Sequence, residues 1–166
     1  MLLQYLNTTP LRKLFWLSPF LFALHNVEET LFIEKWSKGV GTFIHESVTT
    51  QQFGIAVSFL TILVLVLTIV FVNSEKDKIG AYVLTCIVIS FLINAIFPHI
   101  VATVYFGSYS PGVVTSVFIY IPFSVYMLYR IFNEKYLTSK PKFAISVLGT
   151  VLIMKILIPI SLCIGK

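Results

Sequence analysis

The chain has 166 residues, of which 57% are apolar and 11% charged, and its formal net charge is +5. A soluble domain carries roughly 25% charged residues, so this chain has too little polar surface to cover a water-facing core. The basic residues fall in short runs between apolar blocks with no basic–aromatic stripe, which argues for membrane lipids and against nucleic acid as partners.

The pattern predicts an all-α fold, a polytopic transmembrane helix bundle of about five spans in a single domain over residues 1–166. Each block approaches the roughly 20 residues that cross a bilayer. The first span is 14–33. Arg12 and Lys13 precede it as in a secretion signal, but no small-x-small cleavage site follows and the apolar run continues past His25, so a retained helix is expected. The segment 34–52 is long enough for a short interfacial helix anchored by Trp36, and its His45–Glu46 pair reads as solvated.

The second span, 53–72, carries no charge. A charged turn, 73–78, leads to the third span, 79–100. An uncharged segment bearing Gly, Ser and Pro, 105–112, leads to the fourth span, 113–132, and a basic loop, 133–142, to the fifth, 143–164. Pro98, Pro122 and Pro159 interrupt these last three spans and free the carbonyls of Asn94, Phe118 and Lys155, which predicts local irregularity there. Cys86 and Cys163 have no CxxC spacing and read as small membrane-core residues.

With a cytoplasmic N-terminus the inner segments hold eight Lys and Arg residues and the outer ones three, so the expected orientation is N-in, C-out. At about 1.5 Å per residue, His25 then lies roughly 17 Å above the cytoplasmic start of its helix. Glu29 and Asn94 lie at roughly 22 Å, Lys155 at roughly 18 Å, and His99 near the outer edge. Thr115, Ser116 and Tyr120 share that outer half. A charge at mid-bilayer costs about 2.5–3.5 kcal/mol on insertion scales, so such residues face a bundle interior and find partners. His25, Glu28 and Glu29 stand at i, i+3 and i+4, on one helical face, and Lys155 is the expected counter-charge.

The segment LHNVEETLFIEKW (Leu24–Trp36) resembles the defining segment of the HXXEE family of bacterial membrane proteins. The likeness continues at NAIFPH (Asn94–His99) and YSPGVVTSVFIYIPF (Tyr109–Phe123). It implies a multi-pass protein of the bacterial cytoplasmic membrane in which His25, Glu28 and Glu29 define the group, with Asn94, His99 and Tyr109–Gly112 accompanying them. The family is named for its motif and implies no reaction.

Three readings follow from the residues. In the first, His25, Glu29 and His99 hold a divalent metal, zinc or else iron or manganese, with Glu28 as general base and Asn94 or Tyr109 stabilising an oxyanion. That would be an intramembrane hydrolase acting on a lipid or other apolar substrate. In the second, His25, Glu28 and Lys155 serve a proton- or ion-coupled carrier or small-molecule binder. In the third, the cluster is an interhelical lock, with a glutamate on Lys155 and His25 on Asn94. Ser110 has no acid–base dyad beside it in sequence and is a weak nucleophile candidate. No GxxxG face fixes an oligomeric state.

Overall fold

The computed structural model describes residues 7–39 and 47–164, and these are helical with no strand. His45–Glu46 and most of the expected interfacial segment lie outside the described residues. A short helix α1 (Leu11–Phe15) leads into α2 (Leu17–Lys38), whose Pro19 sits in the first turn, where a missing N–H is tolerated. The next helix, α3 (Thr50–Phe71), starts with a capping box. Thr49 accepts from the Gln52 N–H at 3.1 Å, and the Gln52 side chain accepts from the Thr49 N–H at 3.0 Å. Glu34, near the end of α2, accepts from the Thr50 N–H at 2.8 Å and ties the two helices at that end.

The third long helix is interrupted. It runs as α4 (Ile79–Asn94), a π-helical turn π1 (Ala95–Ile100) and α5 (Val101–Phe106). Phe97, ahead of Pro98, leaves the helical region with φ −125° and ψ 119°, as the residue before a proline prefers. Gly107, at φ 59°, ends α5 in the left-handed conformation that glycine adopts without strain. The fourth long helix runs as α6 (Val113–Thr115), a second π turn π2 (Ser116–Tyr120) and α7 (Ile121–Asn133). The last is α8 (Lys140–Ile164). Two of the three helices expected to be interrupted by proline thus carry irregular turns where the freed carbonyls of Asn94 and Phe118 lie.

Among the described residues, three helices are long and apolar enough to cross a membrane: Thr50–Phe71, Ile79–Phe106 and Val113–Asn133. This corrects the expected five. The helix Leu17–Lys38 has the length but carries His25, Asn26, Glu28, Glu29, Thr30 and Glu34, which lower its hydropathy. Lys140–Ile164 is not among the three.

Side-chain burial fits a small bundle with an apolar exterior. Leu14, Phe15, Leu84, Val88, Phe91, Tyr120, Met127 and Ile131 fill the centre, while residues such as Ile62, Val66, Val104 and Phe118 stay exposed. In a lipid solvent that distribution has no hydrophobic cost. Contacts run α2 on α3, α4 on α7, and α8 on both α3 and α4, with π1 against π2. Between α2 and α3 the Asn26 amide donates to Thr61 Oγ1 at 2.9 Å. At the other end, Arg130 donates to Glu134 at 2.6 Å, to the Tyr126 hydroxyl at 2.9 Å and to the Thr9 carbonyl at 2.9 Å, tying the N-terminal segment to α7.

Candidate metal centre

The two irregular turns meet beside α2, and the polar side chains converge there. His25 is fully buried and His99 is 2% exposed. The kink in π1 matters for His99. A straight α-helix would turn residues 94 and 99 well apart, whereas the break at Phe97 ahead of Pro98 lets both face one centre. The Asn94 amide accordingly donates to His99 Nε2 at 3.0 Å and to His25 Nε2 at 3.2 Å. Straight-helix depth put His99 near the outer edge; the structure brings it down to the level of His25.

Glu29 lies between the imidazoles, with one oxygen 3.5 Å from His25 Nε2 and the other 3.3 Å from His99 Nε2. One ligand atom from each of the three residues falls within 4.8 Å of the others. A tetrahedral site with arms of about 2.1 Å spaces its ligand atoms by about 3.4 Å, so these separations suit a single ion. Nδ1 of His99 has no partner of good geometry, but the Pro111 carbonyl faces this ring, as the outer acceptor of a metal-ligating histidine commonly does.

Glu28 is occupied differently. One oxygen accepts from the Tyr109 hydroxyl at 2.6 Å and the Val114 N–H at 3.1 Å. The other accepts from the Thr115 N–H at 2.7 Å and the Thr115 hydroxyl at 2.6 Å. The first N–H groups of a helix have no partner within it, so Glu28 of α2 caps the fourth long helix from outside and meets its positive end. Thr115 Oγ1 also stands 2.7 Å from His25 Nδ1.

The loop between α5 and α6 closes over this centre. Ser110 is buried. Gly112 has φ 85°, and a Cβ there would fall 2.7 Å from the His99 ring, 2.8 Å from the His25 ring and 2.9 Å from Glu29 Cγ. Only glycine suits both the backbone conformation and the space.

Of the residues named from sequence, His25, Glu28, Glu29, Asn94, His99 and Tyr109 come together. Lys155 does not join them. Its side chain is exposed on α8, which packs on α3 and α4, and among the described residues no ion pair links a lysine or arginine to Glu28 or Glu29. Nor does the arrangement leave Glu28 free as a base, since four donors already engage it. Thr115, Gly112 and the stacked Tyr120 ring, 4.3 Å from the His25 ring, were not singled out as site residues. Thr115 lies in the segment YSPGVVTS that accompanies the motif and at the expected depth of the cluster, the two signals that pointed to it.

The sequence profile of a family described as a protein of unknown function with HXXEE motif matches residues 16–127. The chain belongs to the HXXEE family. It is 32% identical over 146 residues to YrkK of Bacillus subtilis (strain 168), an uncharacterized protein, with 88% of this chain and 91% of that one covered. No solved structure matches it. The matched region contains every member of the cluster, so the His25–Glu28–Glu29 motif and its partners from π1 and α6 all fall within the family's shared segment.

Proposed function

We propose that this family member is a multi-pass protein of the bacterial cytoplasmic membrane that binds one divalent metal at His25, Glu29 and His99 and uses it to hydrolyse a lipid or other apolar substrate. The observation that carries the reading is the carboxylate held between two buried imidazoles with no lysine or arginine paired to it among the described residues. A carboxylate facing two nitrogens in a low dielectric calls for a cation at their common centre. Two histidines and a glutamate are the ligand set of one class of hydrolytic zinc site, which keeps a fourth position for water; iron and manganese suit the same donors. A bound metal would supply Lewis-acid polarisation and an acidified water. In this reading α2 crosses the bilayer beside the three clear spans, because its polar face is covered by π1 and α6.

Metal analysis of protein purified in detergent tests this, with wild type beside His25→Ala, Glu29→Ala and His99→Ala. About one zinc, iron or manganese per chain, lost in each variant while the helical content persists, is the expected result. Wild-type protein that retains its fold and takes up none of the three metals overturns the reading.

A proton bound at the same centre is the second reading, a proton-coupled carrier. It is favoured by the unbroken hydrogen-bonded series from Tyr109 through Glu28, Thr115 and His25 to Asn94 and His99. Proton flux into liposomes that vanishes in Glu29→Gln, from a protein that binds no metal, would establish it.

A further inference from the structure

Glu28 and Glu29 are neighbours in the motif, but their surroundings assign them different work. We propose that Glu28 and Thr115 are positioning residues that hold the His25 ring as its Nδ1–H tautomer, leaving the Nε2 lone pair directed at the centre it shares with Glu29 and His99. The inference deepens the metal reading, although the tautomer itself exists with or without metal.

The argument follows the protons. Two of the four donors on Glu28 are the backbone N–H groups of Val114 and Thr115, which cannot reverse. An ionised carboxylate only accepts, so at 2.6 Å the Thr115 hydroxyl donates its single proton to Glu28. What Thr115 Oγ1 then offers His25 Nδ1, 2.7 Å away, is a lone pair. Nδ1 must therefore be the protonated nitrogen. The opposite nitrogen gives an independent check: Nε2 receives the Asn94 amide at 3.2 Å, and a nitrogen that accepts carries no proton. Both ends of the ring thus demand one tautomer. Partners of this kind on the far nitrogen of a ligating histidine orient the ring and raise its basicity.

The test uses metal-free protein in detergent with 15N-labelled histidine, comparing wild type, Thr115→Val and Thr115→Ser. Threonine to valine removes the hydroxyl at nearly constant volume, and serine restores it. In wild type and Thr115→Ser, 15N NMR should show His25 with Nδ1 protonated and Nε2 bare. In Thr115→Val the preference should be lost, with Zn2+ affinity lowered about 10- to 100-fold and recovered in Thr115→Ser. Thermal unfolding of the metal-free variants separates this from a loss of fold. A wild-type His25 protonated on Nε2, or a Thr115→Val protein with unchanged tautomer, overturns the inference. If the wild-type tautomer is as stated but no metal binds, the relay stands and the metal reading falls.

Discussion

Asn94 and His99 are five residues apart, and the amide of one meets Nε2 of the other at 3.0 Å. That contact exists because the helix kinks at Phe97, ahead of Pro98, between them. It also stations the amide nitrogen beside both imidazoles, near where a cation would bind. Asn94→Asp should replace that donor with a carboxylate, adding an anionic ligand. The expected outcome is tighter metal binding by tenfold or more, about 1.4 kcal/mol, together with lower stability of the metal-free protein. Competition against a chelator measures the first, thermal unfolding the second.

Gly112→Ala should damage the centre from the loop side. The added methyl meets both histidine rings and Glu29 below 3.0 Å. Overpacking costs about 1–3 kcal/mol, and a left-handed non-glycine residue roughly 1–2 kcal/mol more. Denaturant or thermal unfolding should register a loss of at least about 2 kcal/mol, with metal content falling as the loop lifts.

Lys155→Met should leave metal content unchanged, because the exposed lysine on α8 has no ion pair with the cluster among the described residues. Expression and membrane insertion should be equal or improved, since a charge in a lipid-facing position is costly. A loss of metal in this variant would return Lys155 to the site.

Asp77 gives a pH dependence at the other end of the bundle. In the turn after α3 it accepts from the Thr138 hydroxyl at 2.6 Å and the Thr138 N–H at 2.9 Å, joining two loops. These hydrogen bonds, led by the Thr138 hydroxyl, hold its carboxyl below the usual 3.8. A carboxyl lowered on folding stabilises the fold above its unfolded value and loses that contribution as pH falls through the folded value. Wild type should therefore melt above Asp77→Asn near neutral pH. The gap should close below about pH 4, which melting curves between pH 3 and 7 would follow.

Much of the site was legible because a bilayer makes polar residues conspicuous. His25, Glu28 and Glu29 stood out at helical spacing, and the prolines marked where the third and fourth long helices become irregular. The depth of His99 was not legible, since a constant rise per residue has no term for a kink. Whether Lys155 joins the cluster or snorkels outward was open for a related reason: equal depth says nothing about which face of α8 a side chain occupies. Thr115 escaped notice as a site residue because a hydroxyl matters there only through its two neighbours, one on each side, from α2. The division of labour between the adjacent glutamates likewise needed the N-terminus of the fourth long helix in view.

The trans-helix cap has a bearing on biosynthesis. Glu28 bonds to Tyr109, Val114 and Thr115, which emerge from the ribosome 81, 86 and 87 residues after it. At 5–20 residues per second the delay is on the order of 4–17 s. For that interval α2, which falls short of the apolarity of the three clear spans, lacks these partners for its Glu28 carboxylate. The motif helix is therefore secured in two stages, first against α3 and only later at Glu28. Its escort until the fourth long helix arrives is a task for the insertion machinery, and a chain stalled before Tyr109 is a natural target for membrane quality control.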